Sequence, residues 1–245
     1  MRTRTAAALA LLLALGACAP DEGESFDAAG DGNADTEPTD SDGDAGADAD
    51  ADPDETDAAE DDGFAGCPPL TVEEVDFILG AGPDDAMDIV TNDTPDGDAF
   101  LHELSLCVDP LDSTVGHLVS RMRRTLAASF GGVGLAAPQV GVHRRIFLAQ
   151  RTDQGGRPVQ AFFNPLIVEY SAETGSMTEG CLSVPGASPS IERSLNVVVD
   201  YDLEDGAHVT AERIGGARAT QAAYAARIVQ HEYDHLDGIL IVDPR

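Results

Sequence analysis

From Asp21 to Asp62 the chain runs through acid after acid without a single Lys or Arg, and this decides which part of it can fold. The stretch 18–66 is rich in Asp, Ala and Gly and poor in large apolar side chains. Such a segment buries too little surface to offset its conformational entropy, and its like charges hold it extended. It reads as a disordered tether. An ordered calcium loop of the D-x-D-x-D-G type with a closing Glu is not clearly present, so a solvated spacer is the better reading. A core must therefore come from the rest of the 245 residues. The formal net charge is -31, every cation is Arg, and no Lys occurs anywhere. An acidic surface with no basic stripe excludes nucleic acid as a partner.

Acidity also argues against attachment to an anionic membrane through charge. The N-terminus offers another route. Arg2 and Arg4 precede an apolar run from Ala6 to Leu15, which is shorter than the roughly 20 residues that span a bilayer. Leu15-Gly16-Ala17-Cys18 then resembles a bacterial lipobox. Residues 1–17 read as a lipoprotein signal peptide, with a lipid anchor on Cys18 as the chain's one link to a membrane. The domain would then lie outside the inner membrane, on the periplasmic or outer-membrane side. An ordinary secretory signal is the alternative, and a cytoplasmic protein follows if neither reading holds.

Order is expected from about Leu70. Thr71-Val72-Glu73-Glu74 fits a capping box for a short leading helix within 67–86, stopped by Gly80. A second helix is predicted over Ser113–Ala128, with Val115, Leu118, Val119, Met122 and Leu126 on one face. Strands are predicted over 145–149, 160–163 and 166–170, the last two separated by the turn-like Asn164-Pro165. Alternation of Val197, Val199, Tyr201 and Leu203 predicts a half-buried strand. Asp205-Gly206 turns it back into a partner over 208–214. A last helix is predicted over 220–237, with Gly238 as its stop. Adjacent strands joined by short turns, with flanking helices, predict an α+β domain.

That last helix contains His231-Glu232-Tyr233-Asp234-His235. Two histidines at i and i+4 share a helix face, so both imidazoles can reach one metal, and Glu232 can reach a water on it. The H-E-x-x-H pattern points to a hydrolytic metal site, the bland alternative being a surface helix with two chance histidines. A catalytic site needs a third protein ligand and an open position. Ten residues follow His235 and none is Glu, which excludes a thermolysin-like ligand set. Gly238 fits a metzincin, but Ile241 stands where its third His should be. An H-E-x-x-H metalloprotease is thus disfavoured, and Cys181 is the candidate third ligand. If Cys18 carries lipid and Cys181 binds metal, Cys67 and Cys107 remain. They either pair as a disulfide in an oxidising compartment, or stay as a free Cys67 and a small buried Cys107.

Three motifs occur in order: Gly132-Val133-Gly134-Leu135-Ala136-Ala137-Pro138-Gln139, then Glu179-Gly180-Cys181-Leu182-Ser183, then Gln230-His231-Glu232-Tyr233-Asp234-His235-Leu236-Asp237-Gly238. Together they resemble the peptide deformylase family over roughly Ile89 to the C-terminus, within a catalytic domain set at 87–245. The resemblance implies mixed, mostly antiparallel sheets around a central metal-binding helix. It implies hydrolysis of the formyl group from N-formyl-methionyl peptides by a monomer with one divalent ion, commonly Fe²⁺, with Zn²⁺ or Ni²⁺ as substitutes. Cys181, His231 and His235 would hold the ion, Glu232 would be the base, and the Gln139 amide and Leu182 N–H would face the oxyanion. Substrate would run along Val133, Gly134 and Gly180. Gly132 and Gly134 would let a peptide backbone approach, unless they only make a tight turn. Gly180 would leave room at the metal. Glu179 and Arg193 either brace the Cys181 motif or are solvated separately. The export signal, the tether and a chain end seven residues after Gly238 depart from the family pattern. An exported formyl-peptide or metal-binding module without turnover is the remaining alternative.

Overall fold

The computed structural model describes residues 66–244, so the readings made for the signal segment, Cys18 and the tether before Gly66 lie outside the described residues. Helix α1 spans Val72–Leu79. Its capping box is closed: the Glu74 N–H donates to Thr71 Oγ1 at 3.1 Å, and the Thr71 N–H donates to the Glu74 carboxylate at 2.8 Å. Helix α2, Pro95–Leu101, was not predicted; Thr94 caps it and Pro95 occupies its first turn. Helix α3 is Ser113–Ala128, capped by Asp112, and its five predicted apolar positions are all buried. Helix α4 is Gln221–Leu236, opened by Thr220 and followed by Gly238 at φ 68°.

Among the described residues, seven strands lie between α3 and α4: β1 Gly134–Ala136, β2 Ile146–Gln150, β3 Val159–Tyr170, β4 Thr174–Thr178, β5 Ser190–Ser194, β6 Asn196–Asp202 and β7 His208–Gly215. Five form one antiparallel sheet in the order β1-β2-β3-β6-β7, and β4 pairs with β5 in a second. The two strands predicted around Asn164-Pro165 are one strand. Asn164 takes a left-handed conformation at φ 47°, and the β3–β6 register shifts between Phe163 and Leu166. Pro165 has no N–H to give to the ladder, so the chain bulges and does not turn back. The Asn164 side chain fastens the bulge, accepting from the Val108 N–H at 2.9 Å and donating to Asp202 at 2.9 Å.

Strand β2 of the large sheet is buried on both faces. Ile146 and Leu148 of β2 join α3 and Ile78 of α1 in one core, while Phe147 and Ala149 join Ala225, Ala226 and Val229 of α4 in the other. Strand alternation thus sends successive residues of one strand into two cores. A smaller cluster of Leu101, Val184, Leu240 and Ile241 packs beneath Cys181.

Arg121, Arg144, Arg151, Arg193 and Arg227 are all buried. Each is held by carbonyls or carboxylates: Arg121 by the carbonyls of Phe77, Ile78 and Asp85, and Arg151 by Asp153 and Glu212. The open question about the cysteines is settled: Cys67 and Cys107 are joined by a disulfide, and Cys181 is a free thiol. Forty residues separate the two half-cystines. Closing a loop of that length contributes about 4 kcal/mol in a chain-entropy account.

Candidate active site

Helix α4 carries His231 and His235 one turn apart, with ring centroids 5.1 Å from each other. Opposite them, Cys181 lies in the loop between β4 and β5, in a tight turn closed by a bridge to Val184. Its Sγ is 3.2 Å from His235 Nε2, and the ligand atoms of Cys181, His231 and His235 lie within 4.8 Å of one another. Tetrahedral bonds of about 2.0–2.3 Å place ligand atoms roughly 3.3–3.6 Å apart, so slight closure completes a three-point cradle. One thiol and two imidazoles, meeting in a partly buried cleft, fit a divalent transition metal.

The orientation of His231 is set by Glu179. The His231 Nδ1–H donates to the Glu179 carboxylate at 2.9 Å, which leaves Nε2 for the cradle. Burial opposes charge on His231, yet the Cys181 sulfur and Glu179 raise its pKa to about 10. Burial holds His235 well below its ordinary value, with the His231 charge adding to the effect. Glu179 is itself buried and receives Arg193 through two bonds, at 2.6 and 2.9 Å, and a further bond from Arg227. Burial alone would raise its pKa, but His231 and Arg193 outweigh burial and bring it down to about 2. The two charges are therefore paired and buried, not separately solvated. Arg193 also donates to Asp234 at 2.8 Å, tying β5 to α4.

Sequence reasoning missed Arg227. It lies one helical turn before His231, where an arginine reads as part of a solvated face. Here it turns inward to Glu179, the Ile191 carbonyl and the Gly175 carbonyl. Its only signal in the sequence is the i, i+4 spacing to His231. Glu179→Gln is expected to weaken metal retention by about 10–100-fold, because it removes the carboxylate that orients His231 and strands two buried guanidinium groups. Metal titration monitored by competition with a chromogenic chelator reads this directly. Unchanged affinity would detach Glu179 from the cradle.

Glu232 is 4 % exposed, and its Oε2 has no hydrogen-bond partner among the described residues. Burial pushes its carboxyl up to about 7, against the pull of His231 and Arg193. Its carboxylate presses on the backbone of β1. A Cβ at Gly134 would collide with Oε1 and Cδ of Glu232, so glycine at this position makes room for that side chain. At Gly180 a Cβ would meet no protein atom within 4 Å.

Gln139 sits in a single 3₁₀ turn, Ala137–Val140, just after β1. Its Oε1 accepts from the Ala136 N–H at 2.8 Å, which fixes the amide so that Nε2 faces Ser183 Oγ at 3.2 Å and Cys181 Sγ at 3.5 Å. Leu182 is next to Cys181, and its N–H has no acceptor among the described residues. Val133, Gly134, Gln139, Gly180, Leu182 and Glu232 all line one cleft of about 360 Å³, together with two of the three candidate ligands, Cys181 and His231. His235 lies beneath it, 1 % exposed.

The profile of the family described as Polypeptide deformylase matches residues 88–245. The peptide deformylase of Thermotoga maritima is 42 % identical over 147 residues, which cover 60 % of this chain and 82 % of that protein. Peptide deformylase 2 of Gloeobacter violaceus is 37 % identical over 148 residues, covering 60 % of this chain and 74 % of that one. Among solved structures, the Thermotoga maritima enzyme superposes with a TM-score of 0.55 at 36 % identity, over 64 % of this chain and 95 % of its own. A Met-Ala-Ser-bound class I type b peptide deformylase from Acinetobacter baumannii gives 0.56 at 30 % identity, over 65 % and 98 %. With a matching profile over most of its length and a thiol, two imidazoles and a buried carboxyl gathered in one cleft, the chain belongs to the polypeptide deformylase family.

Proposed function

We propose that this protein hydrolyses the N-terminal formyl group of formyl-methionyl peptides, with Cys181, His231 and His235 holding a divalent ion. The observation that carries the reading is the buried, unpartnered Glu232 carboxyl beside that ligand set. When bound, the ion supplies an acidified water and draws charge from the scissile carbonyl oxygen. Glu232 takes the proton of the attacking water and returns it to the leaving amine; a pKa near 7 suits both transfers. Gln139 Nε2 and the Leu182 N–H donate to the oxygen that becomes negative during attack. Val133, Gly134 and Gly180 form the wall along which the peptide backbone lies. Formyl has no substituent on its carbon, so a cleft shaped for it rejects larger acyl groups. Purified protein loaded with Fe²⁺, Zn²⁺ or Ni²⁺ in turn is expected to release formate from a formyl-Met peptide and to leave the acetyl-Met analogue intact. Equal rates on both, or none with any ion, would sink the reading.

The same proposal places the enzyme outside the cytoplasm, anchored by lipid on Cys18 through the tether 18–66. The Cys67–Cys107 disulfide supports this, since such bonds persist in oxidising compartments and are rare in the cytosol. Air-exposed thiolate sites tolerate ferrous iron poorly, which favours Zn²⁺ or Ni²⁺ as the resident ion. Cell fractionation with a Cys18→Ser control tests the location. Full-length protein in the soluble cytoplasm with Met1–Ala17 attached would end it.

A further inference from the structure

We propose that residues 67–79, fastened by the Cys67–Cys107 disulfide, are a positioning element for Gln139, so that full turnover requires the disulfide closed. The inference rests on the oxyanion role given to Gln139 above. The segment precedes the family match, which begins at residue 88.

Arg144 is the clasp. It is 1 % exposed, and all five of its N–H groups are used. Two go to the Glu74 carboxylate at 2.8 and 2.6 Å, one each to the carbonyls of Pro68 at 2.7 Å and Pro69 at 2.8 Å, and one to the Cys107 carbonyl at 3.3 Å. Four of the five acceptors therefore belong to the leading segment, and the fifth to a half-cystine. If the segment lifts away, a buried guanidinium loses most of its partners, a state that proteins avoid. The disulfide keeps Pro68 and Pro69 within reach by covalent connection.

From the clasp the support runs to the catalytic turn. Gly141 ends the 3₁₀ turn at φ 89°, and the Phe77 ring of α1 lies against it, 3.2 Å from where a Cβ would stand. The turn is otherwise held by the Gly141 N–H on the Pro138 carbonyl and the Val142 N–H on the Ala137 carbonyl, both at 3.1 Å. Ile78, fully buried, anchors α1 in the core that includes Val140 and Val142. The chain then passes on to donate from Val90 N–H to the Gln139 carbonyl at 2.9 Å and from Asn92 N–H to the Ser183 carbonyl at 2.9 Å. Gln139 and Ser183, whose side chains are bonded to each other, are thus held from behind by Val90 and Asn92, while the leading segment itself reaches the turn through Phe77 at Gly141. Opening the bond takes two electrons from a thiol or phosphine reductant and two protons from that thiol or, with a phosphine, from the water that converts it to the oxide, and leaves two free thiols.

Full-length protein would be compared as oxidised wild type, wild type reduced with a phosphine, the Cys67→Ser/Cys107→Ser double variant, and Phe77→Ala. Reduction and the double variant are each expected to lower kcat on a formyl-Met peptide by about tenfold, a fraction of the 10²–10³-fold cost of losing an oxyanion donor outright. KM and metal content should stay within about twofold, and the phosphine should have no further effect on the double variant. The Gly141 and Val142 amides should exchange about tenfold faster, while those of α4 keep their protection. Phe77→Ala leaves Arg144 and the disulfide in place, so it reads the contact alone if the double variant does not fold; its kcat should fall and its Gly141 exchange rise. Unchanged kcat and exchange in Phe77→Ala and in reduced wild type would overturn the proposal and leave the segment a stability clamp. Were oxidised wild type itself inert on formyl peptides, the substrate reading would fail, and faster local exchange at Gly141 would still distinguish the clasp from it.

Discussion

Glu232→Ala is expected to lower turnover on a formyl-methionyl peptide by about 10²–10⁴-fold, the range that a general acid–base group contributes, while metal content stays that of wild type. The separation of the two readouts follows from geometry. The ligand atoms belong to Cys181, His231 and His235, whereas the Glu232 carboxyl presses on Gly134 and offers an unpartnered Oε2 to the cleft. Removing a buried carboxyl that has no full set of partners also relieves desolvation, so the variant should not melt lower than wild type. Turnover by formate release, metal by elemental analysis and thermal unfolding together decide the matter. Near-normal turnover would remove Glu232 from the mechanism; loss of metal along with activity would make it part of the cradle.

Gln139→Leu is expected to cost about 10²–10³-fold in kcat, or ~3 kcal/mol of barrier, with little change in KM. Its amide has no freedom to swing. The Ala136 N–H holds Oε1, which leaves Nε2 directed at Cys181 and Ser183, so the donor is in place before substrate arrives. Leucine keeps the volume and removes the donor, and it also leaves the Ala136 N–H unpaired. A second variant, Ser183→Ala, separates these effects: it frees Nε2 without touching Oε1, and a loss of only severalfold is expected. A Gln139→Leu enzyme as fast as wild type would show that the oxyanion is held by other groups.

What could be read from the sequence followed the strength of local pattern. Helix α3 was legible because its apolar residues repeat at helical spacing, and the end of α4 because Gly238 stops it. β3 was divided in two because Asn164-Pro165 looks like a turn to any local reading; only pairing with β6 on both sides reveals a bulge. β4 and β5 gave no signal. In β5 the inward positions are Ile191 and Arg193, and a buried arginine breaks the alternation on which strand recognition depends. In the active site, the i, i+4 spacing pointed to His231, His235 and the adjacent Glu232, and the lack of a third ligand downstream pointed to Cys181. The roles of Arg227 and Gly134 could not be read that way, because they depend on groups distant in sequence: Arg227 on Glu179 and Gly175, Gly134 on Glu232.

The inward placement of the arginines shapes how substrates arrive. Arg144, Arg151, Arg193 and Arg227 each pair with a buried or half-buried carboxylate: Glu74, Asp153 and Glu212, Glu179 and Asp234. They cancel those charges and leave the exposed acids with few cations among them. An approaching peptide therefore meets a negative field that reaches about 8–10 Å at physiological salt. Diffusional capture should favour formyl peptides with basic residues and slow those with acidic ones, and added salt should narrow the gap from both sides. Selection among peptides of equal fit would then occur during approach, before any contact with the cleft.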